Sequence, residues 1–136
     1  DNGNLWITGR ISEVFKTTKG KFIQPIKLED DFGSLIELEQ VCVCGHGLDQ
    51  PLLLATLSEL ARGLSRAELI TSLEASLSRI NATLAAYERV NQIVITPEWT
   101  IMNGLLTPTM KLKRKSIIAH FKDQIETKHD SVVSFM

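Results

Sequence analysis

Three lysines and one arginine fall at positions 111–115, directly behind a stretch that Gly104 and Pro108 keep out of regular structure. Residues 103–115 read N-G-L-L-T-P-T-M-K-L-K-R-K, and Ile117, Ile118, Phe121 and Ile125 follow at helical spacing. A loop of cations pinned at one end by a packed helix can deliver positive charge to one defined point. An anionic reactant such as a phosphate or carboxylate needs that. A plainer reading is also open, in which Lys111, Lys113, Arg114 and Lys115 are the solvated start of a helix. Arg10 is a second candidate, a permanent cationic fork suited to phosphate or ribose oxygens, with a surface turn as its plain alternative. Residues 17–21, T-T-K-G-K, are a third. Gly20 permits a positive φ or a close backbone approach to a ligand, although an exposed hairpin tip has the same composition.

Other reactive side chains carry less. Cys42 and Cys44 are one residue apart, so on a strand they share a face, where disulfide geometry is seldom met. A four-ligand zinc site has no further cysteine to draw on. Two buried free thiols are expected, in keeping with a reducing cytoplasm. His46 sits alone in a Gly-His-Gly turn, so no metal site is expected there.

The elements that must hold these residues can be read in order. Residues 5–8 and 11–17 are β-rich runs with Gly9 and Arg10 between them, suggesting a hairpin or sharp bend covered by Trp6 and Phe15. Pro25 opens a short helix that Gly33 and Ser34 end. Residues 41–44 read as a buried strand and 51–57 as the next, with a transition over 58–63. Ser65 and Glu68 have capping-box spacing ahead of an apolar stripe at Leu69, Ile70, Leu73, Leu77, Ile80 and Leu84. The spacing predicts a helix over 66–85. Tyr87 and Arg89 would anchor the turn before a strand at 92–95. A final amphipathic helix is expected over 115–128, with residues 131–136 frayed.

The 136 residues are 43% hydrophobic and 23% charged, which suits one globular domain. A net charge of -1 gives no electrostatic reason to expect nucleic acid or an anionic membrane. No apolar run is long enough to cross a bilayer as a helix.

Two stretches resemble a known family. D-N-G-N-L-W-I-T-G-R-I-S-E-V-F-K-T-T-K-G-K-F-I-Q-P, at 1–25, is similar to the hinge motif of the adenylate-forming (AMP-binding) synthetases, roughly D-x-x-G-x-L-x-I-T-G-R-x-K-E-x-I-K-T-x-x-G-K-x-I-x-P. L-L-T-P-T-M-K-L-K-R-K, at 105–115, resembles their last core motif in its long-chain fatty acyl-CoA synthetase form, T-P-T-x-K-x-K-R. E-W-T-x-x-N-G is similar to that branch as well, and N-x-x-L-x-x-Y-E-R-V resembles the family at large.

The resemblance implies a small α+β C-terminal domain: a β-hairpin, then a three-stranded sheet packed by helices. It divides the chain into hinge motif and hairpin (1–24), α+β body (25–102), catalytic-lysine loop (103–115) and C-terminal helix (115–128). The large N-terminal ATP- and acyl-binding domain lies outside these residues, so the chain reads as a piece of a longer ligase that is inactive alone. The resemblance makes Lys113 the adenylation lysine, with Lys111 as the alternative register, and Arg10 a nucleotide contact. It makes Ser12 the hinge, where the family usually has Asp or Lys, and lets Thr18, Lys19, Gly20 and Lys21 line the CoA tunnel. ATP with Mg2+, fatty acid and CoA are substrates of the whole enzyme, and none is held by this domain alone. Peripheral membrane association of the whole enzyme is compatible with this. Two rivals are an adenylating enzyme that loads an acyl carrier protein and a stand-alone module using K-L-K-R-K to bind anions or nucleic acid.

Overall fold

The computed structural model describes residues 14–45, 48–127 and 132–135. The expectations for Trp6, Arg10, Ser12 and His46, and for the β-rich runs up to residue 13, lie outside the described residues.

The first described element is a hairpin. Strands β1 (Phe15–Lys16) and β2 (Phe22–Ile23) pair antiparallel, with Phe15 opposite Ile23. Residues 17–21 form the tip: the Thr17 N–H donates to Lys21 O at 3.0 Å, and Gly20 takes φ +80°, which suits a residue without Cβ. Helix α1 (Pro25–Gly33) follows, with Pro at its first turn, where a missing N–H costs nothing. It buries Pro25, Leu28 and Phe32.

Strand β3 (Leu38–Cys44) runs antiparallel to β4 (Leu52–Leu57), which is parallel to β5 (Gln92–Ile95). The expected three strands are therefore present, and a fourth joins them. Strand β6 (Val133–Phe135) pairs parallel with β5, Ile93 opposite Val133, where a frayed end was expected. It forms because β5 has an open edge, whose N–H and C=O groups gain partners. The Ile93 N–H donates to Val132 O at 2.8 Å.

Between β4 and β5 lie a short helix α2 (Glu59–Arg62), in the stretch expected as a transition, and helix α3 (Arg66–Asn81). The capping box is present as the sequence predicts: Ser65 Oγ accepts from the Glu68 N–H and Glu68 Oε1 accepts from the Ser65 N–H. The helix stops four residues short of the expected end. Asn81 explains this, because its side chain takes both the N–H and the C=O of Val90, at 3.0 Å each, and so turns the chain back toward β5. Leu84 is still buried, but from the turn. The expected last helix is divided at Phe121 into α4 (Arg114–His120) and α5 (Lys122–Glu126). Phe121 has φ -107° and ψ 22°, outside the helical region.

Period-two alternation gives the sheet two different faces. Val43, Leu53, Ala55, Ile93 and Ile95 point into one core, covered by α1 and α3. Cys42, Cys44, Leu52, Leu54 and Val94 point into the other, covered by Trp99, Leu105, Leu106 and the α4–α5 segment. The lysine loop therefore lies over one face of the sheet and helix α1 over the opposite face.

Candidate active site

Residues 99–113 cross the sheet as an irregular but heavily anchored segment. Trp99 is 1% exposed and its Nε1–H donates to Thr96 Oγ1 at 2.9 Å. The Gln40 side-chain amide pairs with the Trp99 backbone, donating to its C=O at 3.1 Å and accepting from its N–H at 3.3 Å. The next anchor is Asn103, whose Oδ1 accepts from the N–H groups of Thr100 and Leu105 while its Nδ2 donates to Glu98 O. Thr100 Oγ1 answers by accepting from the Asn103 N–H. Gly104 then reverses the chain at φ +81°. These contacts give the E-W-T-x-x-N-G stretch a local physical purpose: side chains satisfy a backbone that no strand or helix serves.

Leu105 and Leu106 are buried as a plug, and Leu106 forms an antiparallel bridge with Leu112. The tip between them is tight. The Thr107 N–H donates to Lys111 O and the Met110 N–H to Thr107 O, both at 2.8 Å. Met110 sits at φ +67°, a left-handed conformation that costs a residue with a Cβ roughly 1–2 kcal/mol.

Lys113 follows this bridge as the N-cap of α4. Its N–H donates to Leu105 O at 3.0 Å, and its C=O accepts from the Ile117 N–H at 2.9 Å. Its side chain is exposed and has no hydrogen-bond or ion-pair partner among the described residues. Lys111 and Lys115 are also exposed. An open cleft of about 540 Å³ borders the cluster, lined by Thr107, Leu112, Lys113, Lys115, Ser116 and Ile118 among others.

Arg114 departs from the solvated-helix reading. Its side chain is 12% exposed and reaches around the edge of β3 to Glu29 on α1, which is 11% exposed. Both terminal guanidinium nitrogens bind the carboxylate, Nη2 at 2.9 Å from Oε1 and Nη1 against Oε2. Nη1 also donates to Val43 O at 3.3 Å and lies 3.5 Å from Cys42 Sγ. Glu29 Oε2 in turn accepts from the Val43 N–H at 2.7 Å. The pair thus satisfies both backbone groups of Val43 that face away from β4, as another strand would. Sequence reasoning missed Glu29, since nothing local marks it. The distance that hides it, 85 residues, is closed only by the fold.

The Thr18–Lys21 tip is exposed. The Thr18 N–H donates to Leu48 O at 3.0 Å and its hydroxyl bonds Asp49, which ties the tip to the loop before β4. Lys21 Nζ lies 5.7 Å from the ring centre of Tyr87. Tyr87 is 37% exposed, and Arg89 anchors the turn before β5 through Nε to Asn81 O at 3.1 Å. Phe15, before the tip, packs against the α1–α3 core, whereas Leu48, to which the tip is bonded, packs against the core beneath the lysine loop. Cys42 and Cys44 are both buried, and neither is joined in a disulfide, as expected. Burial, and then the neighbouring Cys42, push the Cys44 thiol well above its ordinary range, with partial relief from Arg114. Among the described residues no group of three or more His, Cys, Asp or Glu is placed to hold a metal ion.

A small α+β domain with a free lysine presented by an anchored loop is the class that this geometry defines. Residues 13–132 match the AMP-binding enzyme C-terminal domain, and the chain belongs to that family. Long-chain-fatty-acid--CoA ligase 5 of Mus musculus is 30% identical over 153 aligned positions, taking in 96% of this chain and 22% of the relative. Long-chain-fatty-acid--CoA ligase 1 of Cavia porcellus is 29% identical over 151, again 96% of this chain and 22% of the relative. The chain spans about a fifth of the length of these relatives. Among solved structures, the adenylation domain of the carboxylate reductase of Mycobacterium chelonae superposes with a TM-score of 0.74 at 25% identity, over 86% of this chain and 19% of that one. The A-PCP didomain of the carboxylic acid reductase of Segniliparus rugosus, in complex with AMP, does so with 0.71 at 26%, over 83% and 17%.

Proposed function

We propose that this chain is the mobile C-terminal lid of an AMP-forming acyl-CoA synthetase of the long-chain fatty acid type, and that Lys113 is its adenylation lysine. The observation that carries this reading is the contrast at 113: a backbone bonded on both sides and a side chain left free in solvent. The kinship with long-chain-fatty-acid--CoA ligases supports the substrate class.

In the first half-reaction a fatty carboxylate attacks the α-phosphate of ATP, giving acyl-adenylate and pyrophosphate. Two anions must meet, so the barrier is largely electrostatic. A preplaced ammonium in a site closed to water lowers it by a few kcal/mol, roughly 2.7–4 for a single well-aimed donor. Lys113 supplies that charge, bridging carboxylate and α-phosphate, and Arg10 contacts the nucleotide. The lid then pivots at Ser12, withdraws Lys113 and presents Thr18, Lys19, Gly20 and Lys21 to CoA, whose thiol displaces AMP. Mg2+ accompanies ATP on the large domain.

In the full-length enzyme, Lys113→Ala should cut fatty-acid-dependent pyrophosphate release by roughly 100- to 1,000-fold and spare thioester formation from preformed acyl-adenylate. Lys111→Ala should leave both largely intact. Adenylation that survives Lys113→Ala but not Lys111→Ala would shift the register to the alternative. This chain alone is expected to fold and to turn nothing over.

A second reading has its own observation: the Segniliparus rugosus neighbour is an adenylation domain joined to a PCP. Acyl transfer to a phosphopantetheinyl carrier instead of CoA is separated by offering the full-length enzyme each acceptor.

A further inference from the structure

Lys113 and Arg114 are adjacent in sequence and have opposite fates. One side chain points to solvent; the other is gripped, at two nitrogens, by a carboxylate on the far side of the sheet edge. We infer that the Arg114–Glu29 pair is a positioning device for Lys113 and sets the rate of adenylation through it; this rests on the reading of Lys113 as the adenylation lysine.

The position of Lys113 is fixed from three directions. Leu112 bridges Leu106 before it, Leu105 O holds its own N–H, and Arg114 anchors the residue after it. The first two ties run through a loop that is itself seated on the second core by Leu105 and Leu106. Arg114 adds the tie that refers Lys113 to α1 and the β3 edge. It binds Glu29 on α1 and Val43 O on β3, and Glu29 is itself held by the Val43 N–H. A bidentate fork fixes orientation as well as distance, which a lysine ammonium at position 114 could not do. The geometry also explains why the device faces inward. Charge on Arg114 neutralised by Glu29 adds little net field at the cleft, so the pair acts by placement.

Misplacing a reacting group by about 1 Å can cost on the order of 100-fold in rate. A pair that only covers the edge of β3 would instead affect every property of the domain alike. The two roles differ in a double-mutant test on the full-length enzyme.

Glu29→Gln keeps an acceptor for Val43 and the side-chain shape, and removes the charge that grips the fork. The expected result is a fall of about 10- to 100-fold in kcat for adenylation. KM for ATP and the rate of thioester formation from preformed acyl-adenylate should move by less than about twofold. In a Lys113→Ala background, Glu29→Gln should cause no further loss of adenylation, because the residue it places is gone. Arg114→Lys, which keeps the charge and loses the fork, should repeat the pattern. Equal losses in both half-reactions, or the same factor lost again on top of Lys113→Ala, would overturn the inference. If Lys113→Ala collapses adenylation and Glu29→Gln does not, the positioning role alone fails. If Lys113→Ala leaves adenylation intact, the parent reading fails and the inference with it.

Discussion

Residue type decides less than residue surroundings in the K-L-K-R-K cluster. Lys113 and Lys115 stay solvated while Arg114 leaves water, its planar fork gripping both oxygens of the Glu29 carboxylate and giving a further N–H to the Val43 carbonyl. The two thiols show the same dependence. Cys44 looks like a reactive nucleophile by type, but burial holds it in its protonated form, and the thiolate is the reactive species. Both cysteines should therefore resist a maleimide or a disulfide reagent at pH 8 in the folded domain. Their modification rate should rise with urea in step with unfolding. Labelling of the native chain within minutes would contradict the buried geometry.

At the scale of elements, helix α3 shows how local signals act when nothing overrides them. Its capping box forms as the spacing of Ser65 and Glu68 predicts, and Ser65→Ala should cost ~1 kcal/mol of stability, read from urea unfolding. The same cap creates a pH dependence. Hydrogen bonds from Ser65 backbone and side chain hold the Glu68 carboxyl below its usual value. A depressed carboxylate stabilises the fold above its unfolded pKa, and that contribution is lost as pH falls through the lower folded value. Glu68→Gln should therefore flatten the acid limb of the stability profile relative to the parent. An unchanged acid limb would mean the cap carries no pH dependence. The 99–106 segment is the opposite case, an element without regular structure. Asn103 and Gln40 do the work there that a ladder of backbone bonds does elsewhere.

At the scale of the molecule, the sheet couples two cores. Each of β3, β4 and β5 sends alternate residues to opposite faces, so neither core can loosen without moving the strands of the other. Trp99 tests this. It is fully buried in the core beneath the lysine loop, and Trp99→Ala should cost roughly 3–5 kcal/mol. Amide exchange at Leu53 and Ile93, whose side chains face the other core, should accelerate with it, and unfolding should stay a single transition. Two separate transitions would show that the cores are independent.

The amino-acid order alone carried the helix starts at Pro25 and Ser65, the strands from their apolar runs, and the motif that singles out Lys113. Each of these signals acts between neighbours, through a fixed φ, a side chain reaching three residues along, or a period of burial. The early end of α3, the break at Phe121, the strand at Val133 and the grip of Glu29 on Arg114 were decided only in three dimensions. Their cause is shared: each satisfies a backbone group or a charge whose partner lies far along the chain, and no local pattern records where the fold will bring that partner.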